Sequence, residues 1–280
     1  MAYKLFNGND WVDASFAPTN VPIANDTVVC PASVTGNKTD TTAKFNDIDL
    51  DLLWIHPGFR GDFGATGAPL QGAADLVVHQ GSGKFYYECT DNGTAGLTTD
   101  EVRIEAANPG VVTVLSTDAS ATDGFYKTII ATRGNVTLDG SLVWAASPIV
   151  KVGSIGNVLG DVNLTIASSA LTLAELEQAG GLTTLHNVIT NLRISAGVCF
   201  KETSKAVNVT IFGGTLVYNH TAVAGDDTII EVHAGATLEL MQNAVSKVID
   251  KVTMYPGSTL LYDKNLHDIQ DLVDLRTTRA

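Results

Sequence analysis

Val209-Thr210-Ile211-Phe212-Gly213-Gly214-Thr215-Leu216, Glu231-Val232-His233-Ala234-Gly235-Ala236-Thr237-Leu238 and Thr253-Met254-Tyr255-Pro256-Gly257-Ser258-Thr259-Leu260 align as copies of one pattern. Gly213, Gly235 and Gly257 recur at a constant 22-residue step, and Thr215, Thr237, Thr259 and Leu216, Leu238, Leu260 keep that step. Gly134 and Gly156 repeat it, followed by Val136 and Val158. Around them lie short alternating runs such as Val111-Val112-Thr113-Val114-Leu115 and Val162-Asn163-Leu164-Thr165-Ile166, the signature of half-buried strands. The pattern predicts an all-β chain, a β-solenoid whose coils follow that step, because one coil buries its inward row only when neighbours stack on it. Each glycine serves a bend that needs positive φ or close backbone approach. An antiparallel β-sandwich, which also strings short strands between turns, is the alternative, but it does not require like residues at a constant step.

Working outward, residues 1–30 read as an extended N-terminal arm and 31–100 as an irregular region of strands and loops, with clustered Pro and Gly and no 22-residue step. Within it, residues 46–55 alternate as a strand whose even positions face inward at first, and residues 57–69 read as a long surface loop. The solenoid is expected over 101–262. A helical insertion near 171–181 interrupts it, with Thr172 as N-cap, Glu175 completing a capping box and Gly180 as the stop. Residues 263–280 suggest a C-terminal capping helix, since Leu266, Ile269, Leu272, Val273 and Leu275 fall at helical spacing and an open end would expose strand edges.

Composition limits the function classes. The 280 residues are 45% hydrophobic and 17% charged, enough to bury a sizeable core. Thirty acidic against 17 basic residues give a net charge of −13 and a pI near 4.7, which oppose binding to nucleic acid or an anionic membrane. Mean hydropathy is +0.15. No run approaches the roughly 18 apolar residues of a membrane helix. The first ten residues lack the apolar stretch of a signal peptide, so synthesis in the cytoplasm is expected. Cys30, Cys89 and Cys199 are widely separated with no CxxC pair, and buried thiols are expected rather than a zinc site.

Candidate chemistry is sparse. Gly225-Asp226-Asp227 followed by His233-Ala234-Gly235 distantly resembles the signatures of pectin hydrolases, in which two carboxyl groups converge on one glycosidic bond. The upstream Asn-Thr-Asp and downstream Arg-Ile-Lys motifs are missing. His233 also shares a 22-residue column with Ile211 and Tyr255, which makes it a wall position. Asp47, Asp49 and Asp51 alternate on a strand and could offer oxygen ligands to Ca²⁺, but no Gly and Glu follow as a calcium loop requires. Gly81-Ser82-Gly83-Lys84-Phe85 lacks the Ser or Thr and the leading Gly of a phosphate loop. Arg60-Gly61-Asp62 spells an integrin tripeptide in a chain with no secretion signal, and the histidines show no metal-ligand spacing. The expectation is a protein without catalytic, cofactor or metal site.

What remains is binding. The arm sets Trp11, Phe16, Val21, Pro22 and Ile23 among turn-forming residues, as suits a segment that lies on a partner and inserts apolar anchors, and Trp11 and Phe16 equally suit a cover for the open N-terminal end of the solenoid. This Trp-containing arm, the run Val21-Pro22-Ile23-Ala24-Asn25-Asp26-Thr27-Val28-Val29 and the glycine-punctuated Thr/Val/Leu coils together resemble capsid decoration (cement) proteins of tailed bacteriophages. β-Solenoid tail spikes and fibres are the near neighbours. The resemblance implies a homotrimer on the outer capsid surface of the virion that clamps adjacent copies of the major capsid protein, with no catalysis. The alternative it leaves is a tail spike or fibre that binds or degrades host surface polysaccharide.

Overall fold

The computed structural model describes residues 3–6, 11–12, 22–32, 49–64, 70–89, 98–105, 111–116, 125–140, 144–153, 162–167, 172–203, 205–219, 228–241 and 247–277. The chain forms two compact units, Met1–Pro148 and Ile149–Ala280. Both are built of strands, and the described residues contain no α-helix.

The first unit holds β1 (Tyr3–Phe6), β2 (Trp11–Val12), β3 (Thr27–Cys30), β4 (Asp49–Ile55), β5 (Leu70–His79), β6 (Phe85–Cys89), β7 (Thr98–Glu105), β8 (Val111–Ser116) and β9 (Phe125–Gly140). β1, β3, β4, β5, β7 and β9 pair in that order, each neighbour parallel. A second parallel ladder runs from the start of β5 through β6 and β8 to the end of β9. Parallel neighbours need a long return between them. Val28 pairs with Leu53, Leu53 with Val77, Val77 with Val102 and Val102 with Ile129, steps of 25, 24, 25 and 27.

That register places apolar residue on apolar residue. Val28, Leu53, Val77, Val102 and Ile129 make one buried column, and Cys30, Ile55, His79, Ile104 and Ala131 make the next. A step therefore does run through residues 1–100. It is carried by hydrophobic rank rather than residue identity, so like-residue alignment does not reveal it. On β4, Leu50 and then Leu53 and Ile55 are buried, so the inward phase changes from even to odd between them. Residues 57–69 are not wholly a surface loop, because Phe59 and Phe63 are fully buried. Nor is the whole arm free: Tyr3, Lys4 and Leu5 pair in parallel with Thr27, Val28 and Val29, and Leu5 packs on Val29 with Trp54 beside them.

β10 (Trp144–Val152) leads into the second unit, which continues with β11 (Val162–Ile166), β12 (Thr172–Leu185), β13 (Val188–Lys201), β14 (Ala206–Ile211), β15 (Gly214–Tyr218), β16 (Ile229–Val232), β17 (Ala236–Glu239), β18 (Val248–Met254), β19 (Thr259–Leu261) and β20 (Asp268–Asp274). Two parallel ladders recur here. One links the end of β10, the first halves of β12 and β13, then β14, β16, β18 and β20. The other links β11, the second halves of β12 and β13, then β15, β17 and β19.

The 22-residue columns of the sequence are real pairings: Thr215 with Thr237, Thr237 with Thr259, Leu216 with Leu238 and Leu238 with Leu260. Other steps differ. Leu176 pairs with Leu192, Leu192 with Val209, Val209 with Ile230 and Ile230 with Val252, steps of 16, 17, 21 and 22. Each of these side chains is buried, and each stabilises the unit by roughly 1.5–3 kcal/mol relative to exposure. Where the ladders meet, Gly153, Gly181, Gly197, Gly214, Gly235 and Gly257 adopt positive φ, one in each successive row, which is the conformation that favours glycine.

Both expected helices are strands. Thr172-Leu173-Ala174-Glu175-Leu176-Glu177-Gln178 belongs to β12, because Leu173 and Leu176 continue the columns of Ile189 and Leu192. The helical spacing of these two residues is met in the strand by a change of inward phase between them. The C-terminal helix is likewise replaced by β20 and one 3₁₀ turn, Leu275–Thr277, since Ile269 and Leu272 pair with Ile249 and Val252. Tertiary stacking overrides the local periodicity in both places.

Candidate functional site

The residues expected to meet a partner sit at the start of the first unit. Trp11 pairs through its backbone with Phe6 in an antiparallel β1–β2 hairpin, while Phe16 and Val21 lie outside the described residues. Pro22 is buried and Ile23 is 63% exposed, more than any other large apolar residue described. A turn holds Ile23 outward: its amide donates to Asp26 Oδ2 at 3.0 Å, the Asp26 amide returns to the Ile23 carbonyl at 3.1 Å, and Asn25 takes φ 63°. The Asp26 carbonyl accepts from the Asp51 amide at 3.2 Å, which fixes the turn to β4. The sequence brings these groups together because Asn and Asp tolerate and bond such turns.

Other motifs become structural. Asp226 and Asp227 lie outside the described residues, as does Asp47, and Asp51 is half-buried. Gly61 and Gly83 are buried at facing positions where a Cβ on Gly83 would strike the Gly61 carbonyl. Asp62 Oδ1 accepts from the Lys84 amide at 2.9 Å, and Phe63 pairs with Phe85. The integrin-like tripeptide and the phosphate-loop-like stretch are thus two layers of one close packing contact, again one 22-residue step apart. Among the described residues, no group of three or more His, Cys, Asp or Glu could hold a metal ion.

The second unit has a chemically richer outward face. Phe212, His233 and Tyr255 stack, with centroids 4.9 and 4.4 Å apart and planes within 24° and 7°. His233 is a wall residue, but its neighbour is Phe212 and not Ile211, because Ile211 pairs with Val232 at a step of 21. Phe212 is 52% exposed. Nearby rows carry an ion-pair network: Arg193 lies 2.9 Å from Glu175 and 3.7 Å from Glu177, and Lys151 lies 3.6 Å from Glu177. Register puts Arg193 opposite Thr210 on the adjacent strand, two residues from Phe212 and on the same outward side. Sequence reading missed this arrangement because Arg193, Phe212 and the two glutamates share no motif and come to the same outward side only through steps of 16 and 17.

Buried ionisable groups complete the inventory. His79 stacks on Phe85 at 4.7 Å with neither ring nitrogen bonded, and burial pushes it down to about 3. Lys201 is fully buried, donates to the Asn187 carbonyl at 2.7 Å, and is lowered to about 7 by burial, which the nearby Cys199 and Glu202 partly oppose. Burial raises the Cys199 thiol to about 12. These groups are sealed inside and offer nothing to a substrate in the folded state.

Fold and site together define an all-β protein of parallel ladders with an exposed apolar turn at Ile23 and an exposed aromatic stack at Phe212. No protein-family model, curated protein or solved structure matches the chain.

Proposed function

We propose that each unit is a β-solenoid and that the protein is a structural component of a tailed-bacteriophage virion. It binds the outer capsid surface as a homotrimer and stabilises contacts between major capsid subunits, without catalysis. The observation that carries this reading is the Ile23 turn, whose hydrogen-bonded backbone presents an apolar side chain to solvent beside the first strands. Stacked ladders supply a stiff body behind it. The acidic charge leaves attachment to apolar anchors and shape.

Cryo-electron microscopy of particles tests the reading. Density for this chain on the capsid exterior is the expected result, and density confined to the tail or absent from particles overturns it. Ile23→Asp should abolish incorporation into particles while leaving the melting temperature of the free protein unchanged.

A second reading, a tail spike or fibre that binds host surface polysaccharide, is favoured by the Phe212 cluster. Binding of purified protein to host cells, in competition with infection, would support it over the capsid.

A further inference from the structure

We infer that the bare face of Phe212 is a stacking site for one neutral hexopyranose ring of a polysaccharide. The ring is fixed: one face lies on His233, which lies on Tyr255, so its plane is set by a stack three rings deep. The other face looks toward the preceding coil. There the stack stops, because Ile194 pairs with Ile211 and so the residue opposite Phe212 is the small, exposed Ser195. The Phe212 amide donates to the Ile194 carbonyl at 2.7 Å, and a Cβ on Gly213 would strike the Ser195 carbonyl, so the two backbones are in close contact. The serine therefore leaves a step one coil deep, about 4.8 Å, the spacing of neighbouring strands.

A step of that depth matches one ring laid on an aromatic face. The negative face of Phe212 attracts the partly positive C–H groups on the flat side of a pyranose. Polar partners stand on the same side. Arg193 is two residues from Ser195 on the same strand, held by Glu175 and Glu177. The guanidinium and its paired carboxylates offer the fork-shaped donors and acceptors that vicinal hydroxyls bind. Arg193 and Lys151 are already balanced by Glu175 and Glu177, which leaves no net local charge for a carboxylate, and the net charge of −13 disfavours uronic or sialic acids, so the ligand is a neutral sugar. This deepens the polysaccharide reading and is independent of where on a particle the protein sits.

The test uses the purified full chain with cello-, chito- and galacto-oligosaccharides, and oligogalacturonate as the anionic control, read by saturation-transfer NMR and calorimetry. Wild type should bind at least one neutral series. Phe212→Ser should weaken that binding about tenfold or more. Ser195→Phe, which fills the step with the protein's own ring and removes nothing, should abolish it with the strand spectrum and melting temperature retained. Met241→Ser, at a residue 56% exposed elsewhere on the unit, should change nothing. Absence of binding to every neutral series, preference for the anionic control, or undiminished binding by Ser195→Phe each overturns the inference. None of these outcomes depends on the location of the protein in particles.

Discussion

The two units solve the same packing problem with different side chains. In the first unit the register steps are mostly 24 to 27 but fall to 22 at Phe63–Phe85 and to 17 at Leu70–Tyr87, and the interior holds fully buried Phe59, Phe63, Phe85 and Tyr87, with Phe85 stacked against Phe63, His79 and Tyr87. In the second, the steps run from 16 to 22 after a first step of 26 between β10 and β12, the interior is filled by Leu, Ile and Val, and Tyr218 is the buried aromatic among the described residues. Close packing demands that the space between ladders be filled, and rings fill it in one unit and aliphatic side chains in the other. The lesson is that core residue size does not follow from register step alone, since rings fill the first unit where its steps are 22 and 17 and aliphatic side chains fill the second at the same steps.

Phe85→Ala should break the first unit most severely. It removes the ring that three others contact, and a loss of about 4 kcal/mol is expected, as for large buried rings. Urea unfolding followed by tryptophan fluorescence reads this unit selectively, since Trp11, Trp54 and Trp144 all lie in it.

Acid should come next. His79 stays neutral when folded down to about pH 3 but takes a proton near 6.5 when unfolded, so its contribution is lost as pH falls below 6.5. By pH 4 the deficit is about 3 kcal/mol, and His79→Leu, which restores the aliphatic column, should remove that part of the acid sensitivity in paired urea titrations.

The second unit should respond at the opposite end of the scale. Lys201 titrates at about 7 when folded and 10.5 when unfolded, so stability rises with pH from about 7 to 10.5. Cys199, raised from 9.0 to about 12, works the other way above pH 9. A gain of about 2 kcal/mol between pH 7 and 9 is expected, and its absence in Lys201→Met, measured by hydrogen exchange in β13–β16, would check the assignment.

The corner glycines allow a finer comparison within this unit. Gly197 and Gly235 share positive φ, but a Cβ at Gly197 meets the Gly181 carbonyl while one at Gly235 meets nothing within 4 Å. Gly235→Ala should cost about 1 kcal/mol from φ alone, and Gly197→Ala clearly more in the same melt. Smallest of all, Glu177→Gln on the exposed ion-pair row should change stability by less than about 1 kcal/mol.

Strand class was legible because alternation of Val, Ile, Leu and Thr with polar residues is local. The 22-residue columns of Thr and Leu were legible because identical residues happen to face each other there. The shorter steps of 16 and 17, and the 24 to 27 of the first unit, were hidden, since stacking asks for buried volume and not for identity. For the same reason His79 could not be read as an interior residue from its neighbours, although Ile55 and Ile104 define its column. The Ile23 turn was partly visible through Asn25 and Asp26, whose chemistry is local, while the Phe212 site depends on register.

The sequence by itself determined that this chain is all-β, rich in glycine bends, acidic and built on repeating inward rows, because those properties follow from residue type and spacing along one segment. Only the tertiary structure decided that two apparent helices are strands, that the ladders are parallel, and that Phe212 ends its stack above a serine. Those outcomes rest on contacts between residues a full register step apart in the chain, where burial of a whole column outweighs the weaker preference of any single segment.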